Sequence, residues 1–134
     1  MTKQRDSAAV DSQKGYNNER REERYKVPED CQRYIQLWVK SVDKFVPAVL
    51  GNFSRSGILF ECPVPFSKGD RTECVIAISL LVSRELSFGI EVRYCYSDNG
   101  IHIIGASIDT ISDEAWFDVF VDVHDFVIVR KGSR

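Results

Sequence analysis

Six consecutive residues, Glu19-Arg20-Arg21-Glu22-Glu23-Arg24, set three guanidinium groups among three carboxylates. Arg20 and Arg24 are four apart, which puts them on one side of the chain whether it is helical or extended. Two guanidinium forks held together suit an anionic ligand that also carries planar bases. Arginine bridges phosphate oxygens, pairs with the O6/N7 edge of guanine and stacks on a purine face, whereas lysine does only the first. The same spacing also fits a solvated charged turn in which Glu19 and Glu23 pair with neighbouring arginines.

A second polar constellation, Asn52-Phe53-Ser54-Arg55-Ser56-Gly57, joins two apolar segments. Asn52 and Ser54 are two apart, so in extended chain they share a face. Both are compact hydrogen-bonding groups without net charge, suited to base edges or phosphate. Gly57 either adopts φ > 0 or lets a ligand approach closely. Asn, Ser and Gly are also what any strand-to-strand turn prefers.

Other chemistry has little to build on. The two histidines, His102 and His124, form no HxH or HxxxH pair, and no GxSxG, Walker or GxGxxG motif occurs. The 20 acidic residues include no pair in a setting that tunes an acid/base couple, so an enzyme is not expected. Cys31, Cys62, Cys74 and Cys95 are spaced 31, 12 and 21 apart without a CxxC pair. That argues against a zinc site and for free thiols in a reducing compartment. With no apolar run in the first thirty residues and none long enough to span a bilayer, the expectation is a cytoplasmic chain without a membrane partner. The formal net charge of −2 argues against binding a nucleic-acid polymer.

These residues need a scaffold. Residues 1–18 are polar and read as a flexible arm, with a folded domain over 19–134. Pro28 biases Val27 to extended chain, so the charged block passes into an extended segment there. Strands are predicted at Tyr34–Val39, Lys44–Asn52, Gly57–Cys62, Thr72–Val82, Leu86–Tyr96 and Ile101–Ile108. Asn99-Gly100 marks a tight hairpin between the last two. Six strands at this spacing, without intervening helices, predict a mainly β fold, a small antiparallel barrel or sandwich. For Ser112–Val129 length favours a helix over the alternation of Val119, Val121 and Val123, with Ser112 as N-cap and Glu114, Asp118, Asp122 and Asp125 as a polar stripe. Its apolar side is broader than one packing stripe needs, enough to cover a barrel mouth or to form a homodimer contact.

Together, an RxxxR block and, about thirty residues on, a [D/N]xSxxG turn resemble the signature of the PilZ domain family, bacterial receptors for cyclic di-GMP. GILF after the turn, Gly89–Arg93 (GIEVR) and Ile104–Ile108 (IGASI) add weaker echoes, and the likeness spans residues 19 to 129. It implies a small six-stranded antiparallel β-barrel with a C-terminal α-helix. It also implies ligand contacts from Arg20, Arg21, Arg24, Asn52, Ser54 and Gly57, with Arg93 a further candidate and no cofactor. Glu22 and Glu23 depart from an ideal clasp, since they would weaken dianion binding or pre-pair with Arg24. Asn52 replaces the commoner aspartate.

The leading expectation is a cyclic di-GMP receptor whose N-terminal arm folds over the ligand and signals to a protein partner. The alternative is a PilZ-fold interaction module, indifferent to nucleotide, that acts through its C-terminal helix. A third reading, a single-stranded nucleic-acid binder, lacks the extended positive groove such proteins use.

Overall fold

The computed structural model of the chain describes residues 22–79 and 83–132. Among them are strands β1 (Tyr25–Lys26), β2 (Ile35–Ser41), β3 (Lys44–Phe53), β4 (Gly57–Cys62), β5 (Arg71–Ser79), β6 (Ser83–Asp98) and β7 (Ile101–Ile108), then helix α1 (Asp113–Gly132). Short 3-10 segments cover Glu29–Tyr34 and Thr110–Ser112. All pairings are antiparallel, in the order β3-β2-β5-β6-β7-β4, and β4 returns to β3, so six strands close into a barrel. Closure leaves the barrel without a free sheet edge.

The six predicted strands are the six barrel strands. β4 and β7 match to the residue, and β6 is longer than predicted by three residues at its start and two at its end. The predicted end of β5, residues 80–82, lies outside the described residues. At the β6–β7 hairpin Asn99 (φ 53°) and Gly100 (φ 82°) are both left-handed, as a two-residue hairpin requires. The sequence reading missed β1, whose Tyr25 and Lys26 pair with Phe53 and Asn52. β4 covers one edge of β3 there, and β2 has already left the other, so β1 takes up the vacated edge.

Period-two alternation builds the core. Ile35, Leu37 and Val39 of β2, Cys74, Ile76 and Ile78 of β5, and Phe88, Ile90 and Val92 of β6 all point inward and are buried. Two bulges then change which residues face out. In β3 the register shifts between Leu50 and Asn52, so Leu50 and Phe53 are both buried and Asn52 turns outward. In β6 it shifts between Val92 and Tyr94, so Val92 stays inside while Tyr94 and Tyr96 reach the surface. One extra residue inverts the parity of everything after it.

α1 closes the structure. Trp116, Val119, Val123 and Val127 are buried at spacings of three, four and four, a helical stripe laid on the barrel. Trp116 packs on Phe88 with ring centroids 4.9 Å apart. Val121 falls outside that stripe and is exposed, which settles the valine alternation as coincidental. Part of the broad apolar side therefore covers the barrel, and Phe117, Val121 and Ile128 remain on the surface. Glu114, Asp118 and Asp125 are exposed as predicted, and Asp122 is ion-paired to Arg84. Ser112 is not the N-cap that the sequence suggested. Its hydroxyl accepts from the Gly89 backbone N–H at 2.8 Å, and the Asp109 carboxylate caps the turn before the helix by accepting from Ile111 N–H at 3.1 Å. Gly89 permits this: a β-carbon there would stand 3.3 Å from the Asp109 side chain.

Candidate functional site

Strand β1 matters because it delivers Arg24. Tyr25 is wedged among Phe53, Phe120 and His124, with centroids 5.6, 6.1 and 4.6 Å away, which anchors the entering chain to both barrel and helix. Val27 is buried beyond it, and its N–H donates to Gly51 O at 3.0 Å. With Tyr25 and Val27 inward, Arg24 projects along the outer surface next to the end of β3.

There it meets the second constellation. Arg24 Nε and Nη2 both donate to Asn52 Oδ1, at 2.8 and 2.6 Å, and Nη1 donates to Ser54 Oγ at 3.4 Å. One guanidinium thus reads two side chains on one face, 28 and 30 residues away in sequence. The β3 bulge makes this meeting possible, because regular pleating would have turned Asn52 inward.

The loop that follows is held rigidly. Ser54 N–H donates to Gly57 O and Ile108 N–H to Ser56 O, each at 2.8 Å. Ser54 is 1% exposed; its hydroxyl donates to Gly57 O at 3.4 Å and its carbonyl accepts from Trp116 Nε1 at 3.1 Å. Arg55 turns away to α1, where it makes a two-pronged ion pair with Asp113, both contacts 3.1 Å, and lies over the Phe117 ring. Helix and loop therefore share a buried hydrogen bond and a surface clamp.

Beside Arg24 opens a groove of about 300 Å³, lined by Glu22, Arg24, Ser54, Ser56, Arg93 and Tyr94 along with the β7 backbone at Gly105–Ser107. Its size is at the lower end of small-ligand sites. The β6 bulge supplies Arg93 and Tyr94 to it, and the β3 bulge sets Asn52 against Arg24 at its side. The Tyr94 ring covers Gly105, where a β-carbon would stand 2.2 Å from it, and runs nearly parallel to the Tyr96 ring with centroids 6.0 Å apart, while Tyr94 remains 46% exposed. Guanidinium groups, hydroxyls and an exposed ring face together offer what an anion with planar bases needs. Two other grooves, around Trp38, Pro47 and Val49 and around Pro47, Pro63 and Ile101, are lined largely by apolar side chains.

The PilZ domain profile matches residues 18–118. The chain belongs to the PilZ domain family. No curated protein matches it by sequence. Among solved structures it resembles that of the Bacillus subtilis inhibitor of motility (MotI/DgrA), with a TM-score of 0.57 and 12% identity over 79% of this chain and 51% of that one. The chain thus spans about half the length of that protein, and the likeness is one of fold.

Against the PilZ signature, the structure brings together Arg24, Asn52, Ser54 and Gly57. Arg20 and Arg21 lie outside the described residues. Gly57 does not have the positive φ that, among the described glycines, Gly69 and Gly100 adopt. It is a close-approach glycine whose β-carbon would stand 2.9 Å from Ala106 O and 3.8 Å from Arg24 Nη1. The expected pairing of Glu22 or Glu23 with Arg24 does not form, because the asparagine and serine have taken the guanidinium. Glu22 instead accepts from Ser56, and Glu23 accepts from the Tyr25 hydroxyl at 3.2 Å. Arg93 lines the groove from the β6 bulge. Tyr94, Ser56 and Trp116 were missed as site residues. For Tyr94 the available signal was its place next to Arg93; for Trp116, which reads as plain core, there was none.

His102 and His124 occupy structural places. His102 Nδ1 shares a 2.7 Å hydrogen bond with Ser97 Oγ across the hairpin, and His124 packs on Tyr25 and Phe120. The four cysteines are free thiols. Among the described residues, no helix is long and apolar enough to cross a membrane.

Proposed function

We propose that the chain is a cytoplasmic cyclic di-GMP receptor of the PilZ family, without catalytic activity of its own. The observation that carries this is the convergence of Arg24, Asn52 and Ser54 at the mouth of a groove that also presents Arg93 and Tyr94. Arg24 would exchange its hydrogen bonds to Asn52 for contacts with the ligand's phosphates and guanine edges. Asn52 and Ser54 would then be freed to bond a guanine, and Arg20 and Arg21 would close over it from the N-terminal side. The Tyr94 ring offers a stacking face for a base.

Occupancy has two routes to a partner surface. One is the chain leading into β1, which moves when Arg24 re-pairs. The other is α1, tied to the binding loop through Trp116–Ser54 and Arg55–Asp113. Titration calorimetry with cyclic di-GMP tests the reading: binding at micromolar ligand that is lost in Arg24→Ala supports it, and absence of heat at tens of micromolar refutes it.

A second reading has its own observation. Phe117, Val121 and Ile128 form an exposed apolar row on α1. A PilZ-fold interaction module acting through that row would bind its partner equally well with and without nucleotide.

A further inference from the structure

We infer that Ser56 forms an oxyanion subsite of the groove, and that Glu22 occupies it as a resident carboxylate which an incoming phosphodiester must displace. The inference rests on the receptor reading and adds to it a residue outside the RxxxR and [D/N]xSxxG positions.

Two donors of one residue converge on a single anionic oxygen. Ser56 Oγ donates to Glu22 Oε1 at 2.8 Å, and Ser56 N–H reaches the same oxygen at 3.3 Å. Glu22 does not create this arrangement. The loop is already fixed by Ile108 N–H on Ser56 O and by Ser54 N–H on Gly57 O, and Gly57 is pressed against Ala106 O. The N–H is therefore set in advance and the hydroxyl of the same residue turns to join it, which distinguishes an anion site from a chance surface contact.

Glu22 and Ser56 line the same groove as Arg24, Arg93 and Tyr94. A phosphodiester drawn there by the two arginines would bring a like charge against the Glu22 carboxylate, and the two cannot share the Ser56 donors. Glu22 is exposed and just precedes β1, so leaving costs it two hydrogen bonds in contact with water. The carboxylate acts as an internal competitor. Its release frees the chain immediately before Arg24.

The test combines calorimetry with the Ser56 amide resonance in 15N-edited NMR. Glu22→Ala is expected to tighten cyclic di-GMP binding about tenfold, the effect of one charge-assisted contact. Glu22→Gln, which keeps the acceptor and loses the charge, should fall between Glu22→Ala and the unaltered chain. In Glu22→Ala/Ser56→Ala, which keeps the Ser56 N–H and loses the hydroxyl, the gain should be smaller than in Glu22→Ala alone. An affinity unchanged or weakened in Glu22→Ala overturns the inference.

The amide readout is independent of the nucleotide. The Ser56 resonance should move on Glu22→Ala, and in that variant it should move again with inorganic pyrophosphate. If no chain binds cyclic di-GMP but the resonance behaves this way, the receptor reading fails and the subsite stands. A Ser56 amide indifferent to both the substitution and pyrophosphate overturns the subsite whatever the nucleotide does.

Discussion

Replacing Gly57 with alanine is the sharpest test of how the loop is built. The β-carbon would stand 2.9 Å from Ala106 O, about half an ångström inside the 3.4 Å at which ordinary contact begins. The atom it meets is backbone in the paired strand β7, not the end of a flexible side chain. Relief therefore requires β4 to move off β7 where Gly57 pairs with Ser107, stretching the hydrogen bonds of Ser54 N–H to Gly57 O and Ile108 N–H to Ser56 O. Overpacking of this kind costs about 1–3 kcal/mol. Alanine's smaller unfolded-state entropy returns about 0.5–1 kcal/mol, which leaves a net loss of up to about 2.5 kcal/mol and about 1.3 kcal/mol at the middle of the range. For a chain of this length that middle value lowers Tm by roughly 4–6 °C, read from circular-dichroism melts. Cyclic di-GMP affinity should fall with it, since Ser54 moves with the loop.

Gly51→Ala is the control, because its β-carbon would meet chiefly the movable Leu59 Cδ2 at 3.3 Å, with Leu59 O at 3.4 Å. Its Tm should stay within about 2 °C of the unaltered chain. A Gly57→Ala chain that melts within about 1 °C of the original would refute the close-approach argument. Equal losses in the two variants would refute it as well.

Three further outcomes are expected. Trp116→Phe removes the Nε1 donor from Ser54 O and leaves a buried carbonyl without that partner beside a small void; a loss of about 2–4 kcal/mol is expected, with ligand affinity falling too. Gly105→Ala must push the Tyr94 ring off β7, and because that ring is 46% exposed it has somewhere to go; near-ultraviolet dichroism should change while Tm falls little. Stability should decline in alkali through Cys74, whose thiol is pushed far above its ordinary range chiefly by burial, then by Cys62 and Glu73. The folded chain keeps this thiol neutral while the unfolded chain ionises it from about pH 9, so its contribution to the unfolding free energy should be level below that pH and fall above it by about 1.4 kcal/mol per unit; Cys74→Val should remove that part of the slope and leave the share of Cys62, whose thiol burial also raises.

What the sequence determined by itself was whatever is written in local periodicity and turn chemistry. Strands such as Gly57–Cys62 and Ile101–Ile108 stand out because alternation and bounding turn residues are short-range properties. The Asn99-Gly100 hairpin and the helix over 113–132 are legible for the same reason. The residue types that gather at the groove were also visible, as arginine, asparagine and serine at characteristic intervals.

Only the tertiary structure decided which way those residues face and whom they meet. β1 is two residues long, too short for a periodic signal, and it exists because β2 leaves an edge of β3 open. Gly51 inside a strand is a weak mark of one bulge and nothing in the residue pattern marks the one near Arg93, yet both invert parity and so turn Asn52 and Tyr94 outward. The partner of Arg24 is likewise a matter of three dimensions. Neighbouring glutamates are nearer in sequence, but β1–β3 pairing sets the guanidinium against Asn52 and leaves Glu22 to Ser56. Spacing along a chain is a one-dimensional quantity, whereas charge pairing depends on which strands the closed barrel brings side by side.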